Sequence, residues 1–239
     1  LASCAPKENG YFDNLPQEAS PIEIGNKITN RFLEQGHSQY GSPLRVNEPR
    51  TQITYPDVCT WLGGLWFAQE TDNKDLTESL KARFEPLFTN EAYLQPKPNH
   101  VDNNVFGAVP LELYLQTGEE RYKTLGMMYA DSQWELPANW KLEEGEERQS
   151  SMYGDFKDAD ICQPEQKEWD DKGYSWQTRF WLDDMYMITT IQAQAYRVTN
   201  DRKYIDRAAR EMVLYLDSIQ QPSGLFYHAP TAPFCWGRG

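Results

Sequence analysis

Three short stretches of the chain follow one plan, and this plan constrains the fold more than any other feature. They read LWFAQETDNKDL, LYLQTGEERY and AYRVTNDRKY, at residues 65–76, 113–122 and 195–204. Each ends an apolar helical pattern, turns at Thr followed by Asp, Gly or Asn, and starts a charged, one-faced helical pattern. The first two turns are 46 residues apart. The repeat predicts helical hairpins of that length.

The two helices of each predicted hairpin differ in where their apolar residues lie. The first is apolar nearly all round and must be buried on all sides, whereas the second has one apolar face. An inner ring of helices wrapped by an outer ring satisfies both patterns, so we predict an all-α fold, an α/α toroid of helical hairpins. Successive helices run antiparallel, so the N-terminal ends of the inner helices meet at one mouth. Polar and aromatic side chains there are expected to form a site.

Helical spacing and end signals place seven helices along the chain. They cover about residues 21–35, 56–70, 74–88, 102–116, 119–134, 176–198 and 201–219. Pro110 is expected to kink the fourth helix, and the acidic stretch at about 135–174 to be an insertion. A six-hairpin ring needs roughly 280 residues, whereas the chain has 239. We therefore expect an incomplete ring that belongs to a longer protein; the alternative is an open ring.

The chain begins LASC, which resembles a bacterial lipobox ending at Cys4. This match predicts an exported protein of the periplasm or outer membrane, attached to the membrane through a lipidated Cys4. Residues 1–18 would then be a tether and residues 19–239 the toroid domain. An ordinary polar start of the chain is the other interpretation.

Charge and cysteine usage narrow the function classes. The formal net charge is −13, which repels phosphate backbones and argues against nucleic-acid binding. No apolar run approaches the roughly 20 residues of a membrane span. The three His and four Cys show no metal-ligand spacing, so neither a metal nor a cofactor is expected. Cys59, in an apolar helical stretch, is expected in the core.

Two adjacent carboxylates interrupt the otherwise apolar stretch RFWLDDMYM, at Asp183 and Asp184. Neighbouring residues on a helix lie about 100° apart, so the two side chains cannot both face one cavity. One can point into the central cavity, and the other should lie between helices, bonded to a backbone amide or an Arg. Helix capping is the alternative role for either residue. The pattern alone does not assign the two places.

Three motifs in order carry a resemblance to a known family: WLDDMYM at 181–187, GLFYHAP at 224–230 and FCWGRG at 234–239. The chain resembles the unsaturated glycuronyl hydrolases of glycoside hydrolase families 105 and 88, with the closer likeness to the unsaturated rhamnogalacturonyl hydrolases of family 105. The resemblance covers roughly residues 20–239. It implies a six-hairpin α/α toroid. It also implies removal of a 4,5-unsaturated uronic acid from the non-reducing end of oligosaccharides that a polysaccharide lyase produces.

The resemblance also implies roles for individual residues. Asp183 would protonate the sugar double bond at C4 and activate the water that adds at C5. Asp102 would orient the sugar hydroxyls or tune Asp183. His228, Trp236 and Arg238 match substrate-binding positions, with Arg suited to the uronate carboxylate.

Two further tryptophans, Trp61 and Trp176, are weaker candidates for substrate binding, and core packing is the favoured interpretation of each. The acidic insertion has no counterpart in the family pattern.

Two other functions are compatible with the sequence. One is a non-catalytic glycan-binding lipoprotein, which would carry its aromatic residues on exposed faces. The other is a different α/α-toroid carbohydrate enzyme, an inverting glycosidase or a sugar epimerase. An inverting glycosidase needs two separated carboxylates, which Asp183 and Asp102 could supply.

Overall fold

The computed structural model describes residues 15–37, 50–136, 141–142, 161–162, 164–230 and 232–233. Within these residues helices dominate, which confirms the predicted all-α fold. The helices are α1 (Pro21–Glu34), α2 (Tyr55–Glu70), α3 (Lys74–Phe84), α4 (Val101–Asn104), α5 (Ala108–Thr117), α6 (Glu120–Ser132), α7 (Pro164–Asp171), α8 (Leu182–Thr199) and α9 (Arg202–Ile219). Two short strands, β1 (Lys141–Leu142) and β2 (Ile161–Cys162), pair in parallel. Short 3-10 turns cover Gln17–Ala19, Glu85–Phe88, Ala92–Leu94 and Val105–Gly107.

The repeated Thr-(Asp/Gly/Asn) turn has a physical basis in the structure. The residue after each Thr adopts a left-handed conformation, with φ of 49° at Asp72, 76° at Gly118 and 56° at Asn200. Asp, Gly and Asn are the residues that tolerate this conformation best. Each preceding Thr hydroxyl donates to the carbonyl four residues earlier at 2.7 Å. The repeat in the sequence is therefore a repeated way of ending a helix and starting its partner.

The helices form an inner and an outer layer. The inner helices α2, α5 and α8 pack side by side, with α5 between the other two. Each is followed by its outer partner, α3, α6 or α9, and α1 packs on α2 and α3. None of the helices in the described part of the chain is long and apolar enough to cross a bilayer.

A chain of aromatic rings fills the space between the layers. Trp61 of α2 contacts Phe84 of α3 edge-on at 5.3 Å between ring centroids. Phe84 stacks on Phe106 at 5.6 Å, and Phe106 meets Tyr129 of α6 at 5.2 Å. All four side chains are buried. The hydrophobic core therefore lies where each inner helix meets the outer layer.

The predicted fourth helix is interrupted, but not by Pro110. The interruption is the 3-10 turn Val105–Gly107, and Pro110 lies in the first turn of α5, where its missing N–H is tolerated. A Cβ added at Gly107 would lie 2.5 Å from Tyr129 Cβ and 2.9 Å from Gly126 O. The close approach of α6 at this point accompanies the change of helix geometry, and the expected proline kink was wrong.

Two other predicted boundaries differ from the structure. The sixth predicted helix, from 176, starts only at Leu182, because 175–181 is irregular and Phe180 has a φ of 60°. The stretch at 135–174 contains β1, β2 and α7.

Cys59 is only partly buried, so its expected core position was wrong.

Candidate functional site

Two of the predicted carboxylates come together at the N-terminal ends of helices α4 and α8. Asp102 lies in the first turn of α4 and Asp183 in the first turn of α8, and these two helices pack against each other. Their side chains are 27% and 32% exposed, so both reach solvent. The charge of Asp183 acts on Asp102. The arrangement supplies two neighbouring, accessible carboxyl groups.

Asp184 has the opposite environment from its neighbour. Its side chain is 0% exposed. It accepts hydrogen bonds from Arg179 Nη2 at 2.7 Å, from the Tyr215 hydroxyl at 3.0 Å and from the Trp181 backbone N–H at 3.3 Å. A backbone amide or an Arg was the expected partner of the carboxylate that lies between helices, and Asp184 has both. Asp184 therefore caps α8 and holds the segment before it.

Arg179 joins α4 and α8 at this mouth. Its Nη2 donates to Asp102 Oδ1 at 3.2 Å as well as to Asp184, and its Nη1 lies 2.9 Å from Nε2 of the buried His100. Its guanidinium also lies 5.1 Å from the centroid of the Trp181 ring. One cation is thus shared between an accessible and a buried carboxylate, which fixes the spacing of α4 and α8.

Burial and charge set the protonation of these carboxyl groups. Burial raises the pKa of Asp184 to about 6, and the charge and hydrogen bonds of Arg179 oppose that rise. Burial also raises the pKa of Asp102; Arg179 lowers this pKa, and the charge of Asp183 raises it further. Asp184 is therefore mostly ionised at neutral pH and compensates much of the charge of Arg179. Asp102 is the accessible group that takes up a proton more readily than an ordinary Asp.

His228 borders the same mouth. Its Nδ1 lies 3.9 Å from Asp183 Oδ2, and its ring meets that of Trp181 edge-on at 5.1 Å. Its backbone carbonyl accepts a hydrogen bond from Leu182 N–H at 2.9 Å. The GLFYHAP segment is therefore docked on the first turn of α8, which brings His228 to the predicted acid.

The two weaker tryptophan candidates lie in the core. Trp61 and Trp176 are buried, and their indole N–H groups donate to the carbonyls of Leu80 at 3.1 Å and Ser132 at 2.7 Å. Neither offers a ring face to a sugar, so both pack in the core, as the favoured interpretation of the sequence had it, and neither serves as the substrate-binding residue also considered. Trp236, Arg238 and Cys4 lie outside the described residues.

Asp57, at the start of the inner helix α2, is a capping residue. It is buried, and it accepts hydrogen bonds from Thr54 N–H at 2.8 Å and Arg50 Nη1 at 3.0 Å. Within the described ranges, no group of three or more His, Cys, Asp or Glu residues could hold a metal ion.

Reasoning from the sequence missed Arg179 and Tyr215 as parts of this site. Arg179 had a usable signal, since it is five residues before the carboxylate that was expected to need an Arg. Tyr215 had none, because it comes from the outer helix α9, 31 residues further along the chain.

Comparison with known protein families agrees with the resemblance of the sequence motifs. The profile described as Glycosyl Hydrolase Family 88 matches residues 24–239, and this is one of the two families that the motifs resemble. No curated protein matches the chain. Because the family match covers most of the chain and includes every element of the site, the chain belongs to Glycosyl Hydrolase Family 88 and is a glycoside hydrolase.

Proposed function

We propose that the protein removes a 4,5-unsaturated uronic acid from the non-reducing end of lyase-generated oligosaccharides. The observation that carries this proposal is the pair of accessible carboxyl groups, Asp102 and Asp183, beside His228. The membership in Family 88 and the WLDDMYM motif support the substrate class.

The reaction we propose is a hydration. The carboxyl group of Asp183 donates its proton to C4 of the double bond while a water adds to C5 and returns a proton to the carboxylate. The hemiketal at C5 then opens to a ketone, which leaves a hydroxyl on C1 beside the glycosidic oxygen. This hemiacetal expels the remaining sugar as an alcohol and becomes an aldehyde. One carboxyl group therefore serves as both acid and base.

The neighbouring groups would support this chemistry. Asp102 can accept hydrogen bonds from sugar hydroxyls and so orient the ring beside Asp183. His228, whose Nδ1 lies 3.9 Å from Asp183 Oδ2, can contact a sugar bound beside the Asp183 carboxyl group. Arg238, together with Trp236, would hold the uronate carboxylate and the sugar ring.

The test follows the ultraviolet absorbance of the unsaturated uronate, which disappears when the double bond is hydrated. Asp183→Asn is expected to lower kcat by roughly 10²–10⁴-fold, the usual contribution of general acid–base catalysis. Asp217→Asn is the matched control, because Asp217 is an exposed Asp on the outer helix α9. A near-normal rate for Asp183→Asn would remove Asp183 from the mechanism.

A second candidate, an inverting glycosidase, is favoured by the same two accessible carboxyl groups. It would cleave saturated oligosaccharides and release a sugar of inverted anomeric configuration. Loss of absorbance with unsaturated substrates, and no cleavage of saturated ones, would exclude it.

We also propose that Cys4 is a lipidation site and that residues 1–18 tether the enzyme to a bacterial membrane. The LASC match supports this. Mass spectrometry of the native protein is expected to show an acylated Cys4, and an unmodified Cys4 would contradict the proposal.

A further inference from the structure

The segment before α8 is held by the outer helix α9 rather than by regular structure of its own. Glu211 and Tyr215 lie one turn apart on α9, and both are buried. Glu211 Oε2 accepts the backbone N–H of Ser175 at 3.1 Å, and its Oε1 accepts the hydroxyl of Thr178. Tyr215 contacts the next part of the same segment. The outer helix thus reaches the stretch that leads into the candidate acid.

The Tyr215 hydroxyl has three partners at the end of this segment. It accepts the backbone N–H groups of Arg179 at 3.4 Å and Phe180 at 3.3 Å, and it donates to Asp184 Oδ2 at 3.0 Å. A single oxygen therefore fixes two consecutive amides and the carboxylate that caps α8.

The turn that these bonds hold is strained. Phe180 has a φ of 60°, a left-handed conformation that an aromatic residue rarely adopts. Such a conformation persists only where the surroundings enforce it, and it is common beside functional sites. The Phe180 ring packs on the Tyr215 ring at 5.2 Å and on Trp169 at 5.1 Å. Tyr215 thus holds the turn through both its hydroxyl and its ring.

The strained turn sets the position of two site residues. Arg179, on one side of Phe180, reaches Asp102, and Asp183 follows within the first turn of α8. We propose that Tyr215 is a positioning residue for the reaction, because its hydroxyl holds this turn so that Arg179 and Asp183 keep their places relative to Asp102. The inference rests on the proposed function for its kinetic part.

The same helix offers a matched control. Tyr204 is also a buried Tyr of α9, and its hydroxyl donates to Asp131 Oδ1 at 2.9 Å. It therefore makes the same kind of bond to an Asp, but to Asp131 of α6 instead of Asp184. Tyr215→Phe and Tyr204→Phe each keep the aromatic ring and remove one hydroxyl that donates to an Asp. A general effect of that removal on stability should appear in both variants.

The kinetic experiment compares kcat and KM of the two variants with those of the full wild-type chain on one unsaturated disaccharide. Tyr215→Phe is expected to lower kcat about 10- to 100-fold, because small displacements of catalytic groups have effects of this size. KM is expected to change less than about 3-fold, and Tyr204→Phe to leave both constants nearly unchanged. Equal kcat values for the two variants would overturn the positioning role.

A second measurement does not depend on activity. Amide hydrogen exchange in a peptide covering 176–184 is expected to be about 2- to 10-fold faster in Tyr215→Phe than in wild type, and unchanged in Tyr204→Phe. Unchanged exchange in Tyr215→Phe would overturn the inference. A wild-type chain that does not act on any unsaturated disaccharide would instead overturn the proposed function, and the exchange rates would still show whether Tyr215 holds the turn.

Discussion

Replacing Glu211 by Gln is expected to change how the stability of the protein depends on pH. Burial raises the pKa of Glu211 from 4.5 to about 7, although hydrogen bonds from Thr178 and Ser175 oppose the rise. The carboxyl group therefore binds its proton more tightly in the folded state than in the unfolded state. Its stabilising contribution is complete below its unfolded pKa and is lost as the pH rises from about 4.5 to about 7. At about 1.36 kcal/mol per pH unit, this interval corresponds to a loss of about 3 kcal/mol.

Gln can take the place of the protonated carboxyl group. When Glu211 is protonated, the Thr178 hydroxyl can turn to donate to the Ser175 carbonyl, 2.7 Å away, and its oxygen can then accept a hydrogen bond from the side chain at position 211. The side-chain NH₂ of the introduced Gln would supply this donor, and its side-chain carbonyl would accept the Ser175 N–H. Glu211→Gln should therefore match wild type near pH 4.5 and exceed it by about 3 kcal/mol near pH 8. Urea unfolding at both pH values measures the difference.

Glu112→Gln serves as a control of opposite sign. Glu112 is also buried, but hydrogen bonds from Gln116, Gln194, Trp66 and Arg197 outweigh its burial and lower its pKa. Its carboxylate stabilises the fold above its unfolded pKa, and this stabilisation is lost as the pH falls through the folded pKa. Glu112→Gln should therefore be destabilising at neutral pH and less so in acid. A stability difference between Glu211→Gln and wild type that is the same at both pH values would refute the assignment of a titrating Glu211.

The remaining predictions concern packing and substrate capture. Gly107→Ala should destabilise the fold by about 1–3 kcal/mol in thermal unfolding, since its Cβ would lie 2.5 Å from Tyr129 Cβ. Gly63→Ala on the inner helix α2, where an added Cβ meets nothing within 4 Å, should instead stabilise it by about 0.5–1 kcal/mol; equal effects would contradict the packing argument. Arg238→Ala should lower kcat/KM on an unsaturated disaccharide roughly 10- to 150-fold, and Arg238→Lys should recover only part of this. Equal values for all three forms would show that Arg238 does not hold the uronate.

Features that depend on neighbouring residues were predictable from the sequence. The turns at Thr71, Thr117 and Thr199 follow from residues that tolerate a left-handed conformation and from a local Thr hydrogen bond, so the hairpins could be located. The different environments of Asp183 and Asp184 follow from the 100° step of a helix.

Features that depend on contacts distant in the chain were not predictable. The late start of α8 depends on the hold of Tyr215 on Phe180, and periodicity continued the helix through this turn. The interruption before α5 lies where Gly107 approaches Gly126 of α6. In each case a tertiary contact outweighed the local pattern.

The two ends of α8 are tied to the neighbouring stretch 101–117, which limits how the site can adapt. At its first turn Asp184 is linked through Arg179 to Asp102 of α4. Near its last turn Gln194 donates to Glu112 of α5 at 2.7 Å, and Arg197 donates to the same carboxylate. Sliding α8 by a single residue, a rise of about 1.5 Å, would stretch both attachments at once. The pair of helices α5 and α8 therefore resists sliding, and we expect selection among sugars of different size or branching to depend on the connecting segments at the mouth.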